Sequence, residues 1–272
     1  MRILMAGDTH GNQTHCRYLI DKAVDNDCDR IFVLGDFGFW EHMTEGLRFN
    51  DKLNRYATKN NMPVYFLDGN HDKTSLILKK YSDQVDEEGF LLVRPMIRYA
   101  GRGHRWTWGG IRFISLGGAY SVDKDYRLER EAKTRKPETL WFPEEEMSDE
   151  DMTMILENTD MVHVMLAHDK PRGSNPGWNR KDWEDCFPNQ DRLQRAVRAL
   201  TPLQFWHGHL HRRYTQDMDY SDLSSNRRYV TVQGLNADAE AGQSYPDGRY
   251  TSSQSWEVLD TDELLLDLFD LY

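Results

Sequence analysis

The chain has 272 residues, of which 39% are hydrophobic, and a formal net charge of −11. This length is enough for one large core, and no low-complexity linker or fixed repeat divides the sequence, so we expect one domain over residues 1–272. The acidic balance argues against a long nucleic-acid groove, which needs a local basic patch, and is compatible with a cleft for a small anionic substrate.

The sequence carries no pattern typical of a signal peptide or a membrane helix. Its N-terminus enters an apolar run at once, and no apolar stretch approaches the roughly 20 residues that a membrane helix needs. The three cysteines, Cys16, Cys28 and Cys186, are odd in number and lack the spacing of a metal site. We therefore expect a cytoplasmic protein with reduced structural thiols.

The first third of the chain alternates between strand-like and helix-like patterns. Residues 3–8, 31–35 and 64–68 are compact apolar runs. Between the first two runs, apolar residues recur at helical spacing: Cys16, Leu19, Ile20, Ala23 and Val24. A second helix is predicted over residues 44–59 with Leu53, Tyr56 and Ala57 inward, and a third begins after Asp72, which is a candidate capping residue. This order predicts a parallel α/β fold.

The pattern then changes. Residues 90–99 and 106–116 resemble two strands joined by a Gly-rich turn at 101–103, which predicts an antiparallel hairpin. Ser148 and Asp151 have the spacing of a capping box for a helix. The later elements are a strand at 161–167, a helix carrying Leu193, Ala196, Val197 and Leu200, and strands at 203–206, 229–233 and 256–259. We expect the last two strands to close the second half of the fold.

Two long polar stretches interrupt these elements, at about 119–143 and 170–188. Loops of this length in a compact domain usually have a function. Because each stretch follows a predicted strand, we interpret both as walls or lids over a cleft.

Five short signatures of histidine and carboxylate residues occur in one order along the chain. They are Asp8, Thr9, His10; Gly35, Asp36; Gly69, Asn70, His71, Asp72; His168, Asp169; and Gly208, His209, Leu210, His211. Each of the first three follows an apolar run, which is the carboxyl edge of a parallel sheet, where α/β proteins place their chemistry. Carboxylates, imidazoles and an amide oxygen together are suitable ligands for two divalent cations.

In this order the signatures resemble those of the calcineurin-like metallophosphoesterase superfamily, from Asp8 to His211. The resemblance implies a four-layer α-β-β-α sandwich of two mixed sheets, with a dimetal site at the carboxyl ends of the strands. It further implies that Asp8, His10, Asp36 and His211 hold one metal and that Asp36, Asn70, His168 and His209 hold the other. Manganese is the expected metal, with iron and zinc as alternatives.

In this reading Asp36 bridges the two metals, and a hydroxide held between them is the expected nucleophile. His71 is assigned to the substrate, because the residue after a metal ligand projects into the space above the metals. As an imidazolium it would stabilise phosphoryl oxygens or protonate the leaving alkoxide. Asp72 either orients a histidine or caps the following helix.

One departure from the superfamily bears on the substrate. Its phosphoprotein phosphatases usually continue the Gly-Asp signature with Asp-Arg-Gly, whereas here Phe37, Gly38, Phe39, Trp40 and Glu41 follow. The signature at residues 69–72 is similar to that of the small phosphodiesterases. Phe39 and Trp40 are candidates for a wall on which a base stacks, or else for core packing. Lys124 or Arg127 would supply the missing phosphate contact.

Trp178, Asn179 and Trp183 in the second long stretch are candidates to contact the leaving group. The expected activity is a phosphodiesterase on small substrates such as cyclic nucleotides. The alternatives are a phosphomonoesterase, a nuclease on short single strands, and a noncatalytic module in which metals only stabilise the fold. The leucine-rich end at residues 264–271 would serve self-association, a closing strand or a docked tail.

Overall fold

The computed structural model describes residues 1–177, 184–220, 229–238 and 254–270, in which strands and helices alternate. The strands are β1 (Arg2–Ala6), β2 (Arg30–Leu34), β3 (Val64–Leu67), β4 (Leu91–Arg94), β5 (Ile97–Tyr99), β6 (Arg105–Trp108), β7 (Ile111–Leu116), β8 (Val164–Ala167), β9 (Gln204–His207), β10 (Tyr214–Asp219), β11 (Tyr229–Gly234) and β12 (Trp256–Asp260). The α-helices are α1 (Gln13–Asp25), α2 (Thr44–Lys59), α3 (Thr74–Tyr81), α4 (Lys124–Thr134), α5 (Asp149–Glu157), α6 (Phe187–Leu200) and α7 (Thr261–Asp270).

The strands form two mixed sheets. The first has the order β12-β1-β2-β3-β5-β4, in which β1, β2, β3 and β5 are parallel and the two edge strands are antiparallel. The second has the order β10-β11-β9-β8-β7-β6, again with four parallel strands between antiparallel edges. The carboxyl ends of the parallel strands carry the predicted signatures.

Successive side chains of a strand point to opposite faces of its sheet, and this alternation explains the layers of the fold. In β1, Leu4 and Ala6 pack into a core with α1 and α2, whereas Ile3 and Met5 pack into a second core between the sheets. A third core lies between the second sheet and helices α5 and α6. Strands buried on both faces have nearly continuous apolar sequences, as the first third of the chain shows. The predicted α/β fold with two mixed sheets flanked by helices is confirmed.

The predicted hairpin between residues 90–99 and 106–116 is wrong. Each of these segments is itself a hairpin: β4 pairs with β5 in the first sheet, and β6 pairs with β7 in the second. The glycines at 101–103 therefore lie on the connection between the two sheets. The second hairpin turns at Gly109 and Gly110, whose φ values of 53° and 80° favour glycine at a two-residue turn.

Other local predictions had mixed outcomes. The capping box at Ser148 and Asp151 is present at the start of α5. In α1 the predicted stripe is buried except for Val24, which is 46% exposed, and Tyr56 of α2 is only partly buried. The strand β10 was not predicted, and β12 pairs with β1 in the first sheet rather than closing the second half.

The leucine-rich end and the first long stretch are more regular than predicted. Residues 261–270 form α7, with Leu264 buried between the sheets and Leu266 exposed, so this end is not a closing strand. Residues 119–143 contain α4 and are not only a loop. No helix within the described ranges is both long and apolar enough to cross a membrane.

Candidate metal centre

Five predicted signatures meet where the two sheets end. Asp8, Asp36 and Asn70 follow β1, β2 and β3, which are neighbours in the first sheet. His168 follows β8, and His209 and His211 follow β9, in the second sheet. Because parallel strands present their carboxyl ends at one edge, residues more than 200 positions apart come into contact there.

The carboxylate of Asp36 lies between two groups of donor atoms. Its Oδ2 is 3.5 Å from Nε2 of His10, and its Oδ1 is 3.4 Å from Nε2 of His168. Only 2% of the Asp36 side chain is exposed. A carboxylate with one oxygen toward each group has the geometry of a bridge between two cations.

The first group surrounds Asp8. Its Oδ2 is 3.0 Å from Nε2 of His211 and 3.8 Å from Nε2 of His10, while its Oδ1 accepts a hydrogen bond from the backbone of His209. One ligand atom each of Asp8, His10 and His211 lie within 4.8 Å of one another. These three residues and Asp36 are the predicted ligands of one metal.

The second group surrounds His168, whose Nε2 is 3.1 Å from Oδ1 of Asn70. The ring of His209 lies 5.0 Å from the ring of His168. Asp36, Asn70 and His209 therefore all lie next to His168. Among the described residues, His209 does not form a set of three histidine or carboxylate ligand atoms that lie within 4.8 Å of one another.

Two of the four candidate histidine ligands, His168 and His10, present the ring nitrogen that a metal needs. Nδ1 of His168 is 2.7 Å from the carbonyl oxygen of Leu34, and Nδ1 of His10 is 2.8 Å from Oδ1 of Asp238. Such a partner holds the proton on Nδ1 and leaves Nε2 to face the cation. Asp238 was not predicted, because it belongs to no signature and contacts His10 only through the tertiary structure.

The electrostatics of this cluster are suitable for positive charge. Burial opposes the charge on His10, yet hydrogen bonds to Asp238 and Asp36 hold its pKa well above the usual range. Burial likewise opposes the charge on His168, but Asp36 and Asp8 raise its pKa to about 10. The carboxylates of this cluster therefore favour positive charge beside them, which divalent cations would supply. The donor set fits two metals.

The backbone around the donors is strained and tightly packed. Four candidate ligands adopt φ between 43° and 60°, a region that side chains other than glycine rarely occupy: His10, Asp36, His209 and His211. Such strain is concentrated at functional sites. A Cβ on Gly69 would collide with the carboxylate of Asp36, which explains the glycine before Asn70.

His71 lies next to Asp36, and its ring also contacts Arg127. Its backbone N–H donates to Oδ1 of Asp36 at 2.8 Å, and its Nε2 is 3.7 Å from Oδ2 of Asp36 and 2.6 Å from Nη2 of Arg127. A guanidinium only donates hydrogen bonds, so Nε2 accepts and the imidazole is neutral. Burial and the charge of Arg127 lower the pKa of His71 to about 4, although the charge of Asp36 acts in the opposite direction. The ring is therefore neutral in this contact with Arg127, and its role as an imidazolium toward a substrate stays a prediction.

Arg127 has two further partners in this position. It lies in α4 and is 6% exposed. Its Nε is 2.8 Å from Oδ1 of Asp123, and its Nη1 donates to the carbonyl of Leu140 at 3.3 Å. The stretch predicted as a wall therefore brings a guanidinium to the metal centre.

Asp72 does not cap the following helix. Helix α3 begins at Thr74, with Lys73 before it and no capping side chain. Instead the carboxylate of Asp72 accepts four backbone N–H bonds, from Phe37, Gly38, Phe39 and Gly69, at 2.7 to 3.0 Å. It ties the loop after β2 to the loop after β3, which carry Asp36 and Asn70.

The other candidate substrate residues are placed differently. Phe39 is fully buried against Phe66 and Tyr81, so the core-packing alternative holds and it offers no surface to a base. Trp40 is partly buried, and its Nε1 donates to the carbonyl of His71. Lys124 lies 4.4 Å from the ring centre of Trp141. Trp178, Asn179 and Trp183 lie outside the described residues.

The chain is similar to known proteins in family and in fold. Residues 1–213 match the family described as calcineurin-like phosphoesterase. No curated protein matches the chain. A dimetal phosphatase from Danio rerio is 11% identical, with a TM-score of 0.52, over 95% of this chain and 91% of that one.

Two further solved structures are similar. TT1561 of Thermus thermophilus is 16% identical over 87% of this chain and 89% of that chain, with a TM-score of 0.49. An archaeal phosphodiesterase is 13% identical over 97% and 95%, with a TM-score of 0.41. At 11% identity, the likeness to the Danio rerio phosphatase shows the fold alone.

Proposed function

This chain belongs to the calcineurin-like phosphoesterase family, and from this premise we propose that it is a dinuclear-metal phosphodiesterase for small substrates such as cyclic nucleotides. The family implies a metal-dependent phosphoester hydrolase. The observation that carries the proposal is the position of Asp36, with one carboxylate oxygen toward His10 and the other toward His168. A binding module has no need of such a bridge.

The two metals would be held by the two donor groups already described. Asp8, His10, Asp36 and His211 would hold the first, and Asp36, Asn70, His168 and His209 the second. When bound, two divalent cations polarise the phosphoryl oxygens and activate a water for attack. Mixed imidazole, carboxylate and amide ligation suits manganese, with iron or zinc as alternatives.

Arg127 and His71, which lie next to the two donor groups, would have separate roles toward the substrate. Arg127 would bind the phosphate through its planar donors, in place of the arginine that other subfamilies carry after the Gly-Asp signature. A phosphate that draws Arg127 away would release Nε2 of His71 from their 2.6 Å contact. The added negative charge would also raise the pKa of His71. His71 would then take up a proton and pass it to the leaving alkoxide.

A phosphomonoesterase is the second candidate, and Arg127 is the observation that favours it. A monoester dianion carries one more negative charge than a diester and gains more from a buried guanidinium. The diester is preferred here because the arginine that other subfamilies carry after the Gly-Asp signature is missing, and because residues 69–72 are similar to the signature of the small phosphodiesterases. The ratio of the two activities separates the candidates.

The test is a hydrolysis screen of the manganese-loaded protein. Its substrates are bis-p-nitrophenyl phosphate, p-nitrophenyl phosphate, the 2′,3′- and 3′,5′-cyclic nucleotides and short single-stranded DNA. We expect diesters to be preferred. A preference for the monoester would favour the second candidate, cleavage of DNA alone would identify a nuclease, and no turnover with any substrate would leave the noncatalytic module.

Three variants test the assigned roles. Asp36→Ala should abolish turnover while the protein stays folded, and His71→Ala should keep both metals but lower kcat by about 100-fold or more, the usual contribution of a general acid. Arg127→Ala should raise KM, whereas Arg130→Ala should not, because Arg130 lies in the same helix with its guanidinium against Tyr126. An unchanged KM for Arg127→Ala would contradict the phosphate contact.

A further inference from the structure

The side-chain amide of Asn70 has two ends, and only one of them can bind a cation. Its Oδ1 is 3.1 Å from Nε2 of His168, on the side of the candidate second metal. Its Nδ2 donates to Oγ of Ser121 at 2.9 Å. Turning the amide over would direct two N–H donors at the metal position, and an N–H group is no ligand for a cation. The orientation of this amide therefore matters to metal binding.

Ser121 is bound in turn to a carboxylate. Its hydroxyl donates to Oε2 of Glu145 at 2.5 Å, and its backbone N–H donates to Oε1 of Glu145 at 3.1 Å. Ser121 is 1% exposed and Glu145 is 2% exposed. The pair is therefore buried and fixed through both oxygens of the carboxylate.

The chemistry of this pair dictates the orientation of Asn70. Burial raises the pKa of Glu145, whereas hydrogen bonds from Ser121 and Trp141 favour its ionised form. In that form the carboxylate only accepts hydrogen bonds, so the one proton of the Ser121 hydroxyl is committed to Glu145. The hydroxyl oxygen can then only accept, and the end of Asn70 that faces it must be the NH2 group. Oδ1 is left facing His168 and the metal position.

We propose that Ser121 and Glu145 are positioning residues for the second metal, which fix the amide of Asn70 with its oxygen toward that metal. Ser121 lies in the stretch between β7 and α4, and Glu145 lies between α4 and α5. The excursion that carries Arg127 would thus also orient a metal ligand on the opposite sheet. The inference rests on the proposed metal centre, and it is independent of the substrate.

The experiment measures manganese binding to metal-free protein by calorimetry, with electron paramagnetic resonance to detect the spin-coupled metal pair. Ser121→Ala is made in the natural chain and in an Asn70→Asp background. The two oxygens of an aspartate are equivalent, so orientation has no importance there. We expect Ser121→Ala to weaken the second manganese by about 10-fold or more in the natural chain, as for other outer hydrogen bonds of metal ligands. In the Asn70→Asp background the same change should have little effect.

Further variants separate this effect from packing damage. Ser121→Thr, which keeps the hydroxyl, should restore the binding. Ser115→Ala is the matched control, because Ser115 is fully buried and its hydroxyl donates to Gly101, away from the metals. If Ser121→Ala does not fold, Glu145→Gln tests the same pair, because its amide cannot accept from both the hydroxyl and the N–H.

The outcomes distinguish this inference from the proposed function. If the natural chain binds no manganese, the metal centre itself is wrong. If the natural chain binds two ions and Ser121→Ala binds them equally well, only the positioning role is wrong. Equal weakening in both backgrounds, or in Ser115→Ala, would also overturn it, because that is the result of general damage to the core.

Discussion

Removing the carboxylate of Asp238 should weaken metal binding, although this residue would touch no metal. The Asp238 side chain is 6% exposed, and it accepts hydrogen bonds from Nδ1 of His10 at 2.8 Å and from Nδ2 of Asn12 at 2.9 Å. In Asp238→Ala the ring of His10 loses the partner that directs Nε2 toward Asp8 and Asp36. The proton is then free to occupy either ring nitrogen, and the ring is free to turn.

The magnitude follows from the kind of bond that is lost. Removing the outer partner of a metal-binding histidine costs about 10- to 100-fold in metal affinity, which corresponds to about 1.4 to 2.7 kcal/mol. Because the bond is buried and charge-assisted, we expect the upper half of this range. Asp238→Asn keeps one acceptor oxygen for His10 but turns an NH2 group toward Asn12, so its loss should be smaller.

The assay is a calorimetric titration of metal-free protein with manganese. The control is Asp217→Ala, because Asp217 lies on the edge strand β10, is exposed, and accepts a hydrogen bond only from Thr231 among the described contacts. We expect Asp217→Ala to bind manganese like the natural chain. If Asp238→Ala also retains the natural affinity for both metals, the second hydrogen bond of His10 has no part in metal binding, and the reasoning is refuted.

Four other results are expected. Asp72→Asn should lower the free energy of unfolding, measured in urea, by about 3 kcal/mol, because one amide oxygen cannot accept from four buried N–H donors. The control is Asp25→Asn, which changes a carboxylate at an exposed site. Gly69→Ala should reduce manganese binding in calorimetry, since its Cβ would collide with the Asp36 carboxylate, and natural affinity would contradict this. Manganese at about 100 times its Kd should stabilise the protein by about 2.7 kcal/mol, and a chelator should reverse the rise in Tm; an unchanged Tm would argue against a metal bound by the folded state. Burial raises the pKa of Glu41, but hydrogen bonds from Tyr81, Asn50 and Lys80 outweigh it and lower this pKa. The stabilisation by the ionised Glu41 is therefore present above the ordinary pKa of 4.5 and is lost as the pH falls below it. Glu41→Gln should show a weaker loss of stability in acid.

Local patterns in the sequence located the histidine and carboxylate signatures, and the resemblance to a superfamily implied which of their residues would hold metals. Asp8, Asp36 and Asn70 each follow a short apolar run, and the structure places each at the end of a parallel strand. The capping box at Ser148 was predictable for the same reason, because its two partners are three positions apart. Features of this kind depend on neighbours along the chain, so periodicity and spacing reveal them.

Turn chemistry was harder to interpret. The segment at 106–116 has the composition of one strand, and Gly109 and Gly110 divide it into two. The glycines at 101–103 were predicted as a hairpin turn, but they connect the sheets. A glycine permits several backbone shapes, and the sheet that each strand joins depends on where its side chains find a core.

The sequence by itself determined the fold class and the order of the candidate metal ligands, because strand and helix periodicity and residue chemistry are local properties. Only the tertiary structure decided what surrounds those ligands. Asp238 reaches His10 across 228 positions, Glu145 reaches Ser121 across 24, and Arg127 reaches His71 across 56. Each of these contacts depends on how two sheets and an inserted helix pack together. A polar side chain acquires its partner, its tautomer and its pKa from that packing.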